Sequence, residues 1–146
     1  MLKRVIIAAT LAVSVPAQAS AESWLCIPDM SAGFSFNKAS QSWQHTKFNI
    51  QDERLIIRVS NTASRKYEVN VFGKETSMPD YICKEGPNES GFLFCQGIFG
   101  EFKFNTENLR YIRVYMAGYI EMRQSSLFMK EGDDTPHIEI GKCSKI

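Results

Sequence analysis

Short apolar runs alternating with polar residues at a period of two constrain this chain more than any other feature. "RLIIRV" sets Leu55, Ile57 and Val59 on one face. "KYEVNVFG" sets Tyr67, Val69 and Val71 against Glu68 and Asn70, and "EFKFN" sets Phe102 and Phe104 against Glu101 and Lys103. "HIEIGKC" sets Ile138 and Ile140 against His137 and Glu139. Successive strand side chains point to opposite faces, so these runs read as half-buried strands. Turn formers separate them at 61–64, 73–79, 85–91, 105–108 and 132–136. The expectation is an all-β domain: an antiparallel meander of about eight to ten strands forming a small barrel or sandwich.

Two segments read less simply. "ENLRYIRVYMAG" fits a helical stripe of Leu109, Ile112 and Met116, or a strand with Ile112, Val114 and Met116 on one face. Its β-branched and aromatic content favours the strand. "SSLFMKEG" around Phe128 reads as a short helical turn or an exposed loop.

A pattern occurs twice: "FSFNKASQSW" (34–43) and "FKFNTENLRY" (102–111). In each, two Phe residues share a strand face, Asn ends the strand, and a returning aromatic packs across it. Two hairpins with inward Phe pairs are expected; a duplicated binding site is the competing reading.

The N-terminus has the layout of a secretory signal. Lys3 and Arg4 precede the apolar stretch 5–15, Pro16 breaks it, and Ala19-Ser20-Ala21 follows. The expected cut is after Ala21, with Ala19 as the alternative. That divides the chain into a signal peptide, 1–21, and a single β domain, 22–146. Bulky Trp24 and Leu25 before Cys26 argue against a lipoprotein. The expected location is periplasmic or extracellular, with no stable membrane insertion. Losing Lys3 and Arg4 from 17 basic residues leaves 15 against 16 acidic ones. With no basic run, nothing supplies the phosphate-neutralising field that nucleic-acid binding needs.

Cys26, Cys83, Cys95 and Cys143 form an even set behind this signal, which implies disulfides. Four cysteines allow three pairings. The turn-rich "KEGPNESG" between Cys83 and Cys95 favours a bridge across a hairpin, leaving Cys26 with Cys143.

The catalytic inventory is thin. There are two histidines, His45 and His137, and no G-x-S-x-G frame, phosphate-cradling loop or dinucleotide fingerprint. Asp133, Asp134 and His137 are the one cluster of metal-ligand types, and they read as a turn. Asp29, Glu75, Asp80 and Glu85 are loop acids that a hydrolase could recruit. Aromatics are more informative: Trp43, Tyr111 and Tyr115 are the candidate aromatic binding surface. The sequence therefore points to a non-enzymatic binding protein without a cofactor, taking a small apolar ligand or an envelope protein. The alternatives are a secreted hydrolase using loop carboxylates with His137, and a structural or inhibitor protein acting through a sheet edge.

"SWLC", "GFSFNKASQSW", "GEFKFN" and "TPHIEIGKCS" together resemble small, uncharacterised secreted bacterial proteins. Those proteins open on Trp-x-Cys and close on Ile-Glu-Ile-Gly-Lys-Cys. The resemblance implies export and loosely supports a Cys26–Cys143 bridge; it implies no activity. The lipocalin opening Gly-x-Trp is not met, since Glu22 precedes Trp24 by two.

Overall fold

A computed structural model describes residues 22–74, 78–120, 122–124 and 127–146. The expected signal segment and Glu75 lie outside the described residues. Eleven strands are described: β1 (Trp24–Asn37), β2 (Ser42–Lys47), β3 (Leu55–Val59), β4 (Tyr67–Val71), β5 (Tyr81–Cys83), β6 (Phe92–Gly97), β7 (Gly100–Asn105), β8 (Arg110–Tyr115), β9 (Met122–Gln124), β10 (Leu127–Met129) and β11 (His137–Lys145). β3 to β8 run up and down in chain order. β11 pairs with β8 on one side and β1 on the other, and β1 pairs with β3, closing an eight-stranded antiparallel barrel. β2 is an extra strand on the far half of β1. The sequence left barrel and sandwich open; the long β1–β11 seam decides for the barrel. "SSLFMKEG" contributes β10, paired with β9, rather than a helical turn or a loop.

Both disulfides join neighbouring strands inside the barrel. Cys26 faces Cys143 across the closing seam, and Cys83 bridges to Cys95 between β5 and β6. All four sulfurs are thereby paired. Two buried bridges suit an oxidising setting outside the cytoplasm. Around them, one end of the barrel is filled. Trp24 packs its ring on Tyr67 and Phe104, with Leu55, Ile57, Val69 and Leu93 fully buried nearby. Gly141 is required on β11, because a Cβ there would lie 2.5 Å from the Tyr111 ring and 2.4 Å from the Ile27 carbonyl oxygen.

Two apolar patterns are turned over relative to the sequence reading. On β11 the expected core residues Ile138 and Ile140 face outward, while Glu139 is 0% exposed. Cys143 must face inward to reach Cys26, and residues at even spacing from it, including Glu139, follow it inside. On β1 the register shifts between Pro28 and Met30. That bulge adds one residue and reverses the alternation beyond it. Trp24 and Cys26 point in, but Phe34, eight residues past Cys26, is 53% exposed and Phe36 half-buried. The expectation of an inward Phe34–Phe36 pair therefore fails, whereas Phe102 and Phe104 are fully buried as expected.

The two repeats nevertheless share one turn. Phe36 faces Trp43 and Asn37 faces Ser42, as Phe104 faces Tyr111 and Asn105 faces Arg110. Each Asn side-chain oxygen accepts two backbone N–H bonds, from Ala39 and Ser40 or from Glu107 and Asn108. Gln41 and Leu109, four residues after each Asn, both adopt positive φ (52° and 59°). The repeat is a turn used twice, once within the barrel and once on a hairpin extending past its rim.

Candidate functional site

The end of the barrel opposite Trp24 is open. It holds a cavity of about 730 Å³, within the 300–1,000 Å³ range of small-molecule sites. β8 and β11 build its floor and one wall, because their inward residues lie directly opposite one another. Arg113 faces Glu139, and Tyr115 faces His137.

The floor is a buried charge cluster. Arg113 Nη2 donates to Glu139 Oε2 (2.7 Å) and to Glu53 Oε1 (2.6 Å). The Tyr111 hydroxyl donates to the other Glu139 oxygen (2.7 Å). Glu53 comes from the 48–54 loop, so this ion pair anchors that loop over the barrel mouth. Burial pushes the Glu139 carboxyl upward, against the pull of Arg113 and the Tyr111 hydrogen bond. Burial also works against the Arg113 charge, but Glu139 and Glu53 more than offset it and raise its pKa. Arg113 Nε is buried without a hydrogen-bond partner.

An aromatic arc rises from this floor. His137 stacks on Tyr115 (ring centroids 5.2 Å apart) and tilts against Phe48 (5.3 Å); Phe99 meets Tyr115 in an edge contact (6.0 Å). The Tyr115 hydroxyl donates to Asp134 Oδ2 (2.6 Å), and His137 Nδ1 lies 2.9 Å from the Thr135 carbonyl oxygen. Val71, Met78, Tyr81 and Ile98 line the remaining wall, with a Lys74–Asp80 ion pair (3.6 Å).

The tyrosines make a prediction about alkali. Burial raises Tyr81 to about 12. Burial and the bond to Glu139 raise Tyr111, and burial and the bond to Asp134 raise Tyr115. The native state thus keeps protons that the unfolded chain releases near pH 10. Their contribution to stability is complete below that pH and is lost as pH rises through the raised native values, about 12 for Tyr81 and higher for the two hydrogen-bonded tyrosines. Absorbance at 295 nm should show Tyr81 and Tyr111 ionising together with unfolding. Free ionisation of all five tyrosines near pH 10 in a folded chain would contradict this packing.

The three sequence candidates occupy different places. Tyr111 is buried in the floor, Tyr115 forms the cavity wall, and Trp43 sits on the β1–β2 hairpin. Trp43 donates to Glu131 Oε1 (2.8 Å) and packs on Phe36 and Tyr119. Trp43 and Tyr115 do share a second, apolar groove of about 550 Å³ outside the rim, with Phe34, Met116, Tyr119 and Ile120. The loop acids are dispersed: Asp29 pairs with Lys142, Glu85 is exposed, and Asp80 accepts from the Val71 N–H. Asp134 spends its oxygens on Tyr115 and the Thr135 N–H, and His45 is exposed on β2. Among the described residues, no group of three or more His, Cys, Asp or Glu is arranged to hold a metal.

Sequence reading missed Arg113, Glu139, Glu53, Phe48 and Phe99. Strand parity could have found two of them: Arg113 shares a face with Tyr111, and Glu139 with Cys143. The fold and site together define a small, disulfide-stapled up-and-down barrel, packed at one end and cupped at the other. Comparison with protein-family models, curated proteins and solved structures finds no match to this chain.

Proposed function

We propose that this chain is a non-enzymatic binding protein, exported by a cleaved signal at 1–21 to the periplasm or exterior, that takes a small ligand in its cup. The observation carrying this reading is the 730 Å³ cavity walled by Phe48, Tyr115 and Phe99. Aromatic rings offer large apolar contact area at little cost in side-chain entropy. The buried ion cluster beneath them fixes the floor, so the cup is formed before a ligand arrives.

A neutral apolar dye, N-phenyl-1-naphthylamine, tests this. It should brighten on binding the mature domain and saturate at one equivalent. Val71→Trp, which fills the cup from β4, should lower dye affinity at least tenfold with little change in the urea midpoint. Equal dye binding by both proteins would sink the cup as the site.

A second reading, a protein partner, draws on the outer face. Phe92, Phe94, Ile112 and Ile140 are all exposed there on β6, β8 and β11. Contiguous exposed apolar residues of this size are a common mark of interaction surfaces.

A further inference from the structure

We infer that the ligand of the cup is a cation: a small amine or quaternary ammonium with an apolar body, its charge held between Glu53 and the Phe48–Tyr115–Phe99 rings. The inference rests on the cup being the binding site, and it adds the charge of what binds there.

Its first support is the charge balance around the cavity. Arg113 is the single cation shared by two carboxylates, Glu139 and Glu53. Lys74 is matched by Asp80. Asp134, behind the Tyr115 hydroxyl, adds a further carboxylate that meets only neutral donors, the phenol and a backbone N–H. Counting Glu139 beneath the floor and Asp134 behind the wall, four carboxylates stand against two permanent cations, with His137 the further titratable group on the lining. An anionic ligand would have only the Arg113 donors that the two acids leave, Nε among them, and would meet the charge of both acids beside them. A monovalent cation would lower that excess.

The second support is geometric and independent of charge count. Glu139 has both oxygens occupied and no exposure, so it cannot reach a ligand. Glu53 differs: Oε1 accepts from Arg113, whereas Oε2 has no hydrogen-bond partner among the described residues. Its side chain keeps 27% of its surface and lines the cavity. The 48–54 loop that carries Glu53 also supplies Phe48, so the acid and the arc share one support. A cation beside a carboxylate and over aromatic faces gains from both, because ring faces carry negative charge density and the site is partly dry.

Three probes with a benzyl body and a tetrahedral head separate the possibilities: benzyltrimethylammonium, its neutral carbon isostere neopentylbenzene, and phenylmethanesulfonate as the anion. Binding is read by displacement of N-phenyl-1-naphthylamine from the mature, disulfide-intact protein. The cation should bind at least tenfold more tightly than the isostere, with the anion weakest. Glu53→Gln keeps an oxygen for Arg113 and removes the excess charge. It should abolish the preference for the cation, read as the ratio of benzyltrimethylammonium to neopentylbenzene affinity within the same variant, so that any loosening of the loop acts on both probes alike. Phe99→Leu should weaken the cation more than the isostere. Equal binding of all three probes, or an unchanged preference in Glu53→Gln, would overturn the charge inference and leave the cup standing. Failure of every probe and of the dye would overturn the cup itself, and this inference with it.

Discussion

Arg113→Met will destabilise the fold by about 3–5 kcal/mol, because it leaves the fully buried Glu139 charge without its cation. The size of the loss reflects the stranded carboxylate more than the net worth of the pair. The double variant Arg113→Met, Glu139→Gln removes both charges and keeps an acceptor for the Tyr111 hydroxyl. It should recover more than half of the loss, since a buried ion pair contributes little beyond a neutral replacement of similar shape. Urea denaturation of the two single variants and the double gives the coupling directly. Additive losses, or an Arg113→Met cost below about 1 kcal/mol, would mean that the cluster is wetter than its geometry implies. Arg113 also ties the 48–54 loop through Glu53, so the single variant should loosen the cup mouth as well.

The closing disulfide gives the second large effect. Cys26 and Cys143 are 117 residues apart, and Cys83 and Cys95 only 12. Chain entropy then assigns about 5 kcal/mol to the first bridge and about 3 kcal/mol to the second. Replacing Cys26 and Cys143 with Ala should therefore cost more than replacing Cys83 and Cys95. The closing bridge also sits on the seam that turns a curled sheet into a barrel, so its loss should collapse near-ultraviolet circular dichroism at lower urea. A larger cost for the Cys83–Cys95 pair would show that closure is held by backbone pairing of β1 with β11, with the cross-link secondary.

The strands were legible where one face is apolar and the register is regular. β7 follows its alternation, and β3 and β4 do so in part: Leu55, Ile57, Val69, Phe102 and Phe104 are in the core, but Val59 at the end of β3 is exposed and Glu68 of β4 is buried. The all-β fold and both cysteine pairings follow from the same reading. Hydrophobicity misled on β11, where an ion pair and a disulfide outweigh the two isoleucines. Reading inward from Cys143 in steps of two places Glu139 inside without any hydropathy. The outward turn of Phe34 went unread although Pro28 marks the place, since a proline within a strand is confined to edges and bulges and the register shifts between Pro28 and Met30. The candidate site was visible only in part. Tyr115 carries an aromatic signal, but Glu53 and Phe48 belong to a loop whose fold over the cup depends on a salt bridge to a strand 60 residues away.

One measurement addresses the central claim, that the open end of the barrel is the ligand site. Backbone amide shifts of the ¹⁵N-labelled domain 22–146, recorded during titration with benzyltrimethylammonium, report where the probe sits. The account predicts that the largest changes fall on Phe48, Ile98, Phe99, Tyr115 and His137, with the Arg113 side-chain N–H signals moving in step. Changes confined to the outer face, at Phe92, Phe94, Ile112 and Ile140, would contradict it and move the function to the barrel exterior.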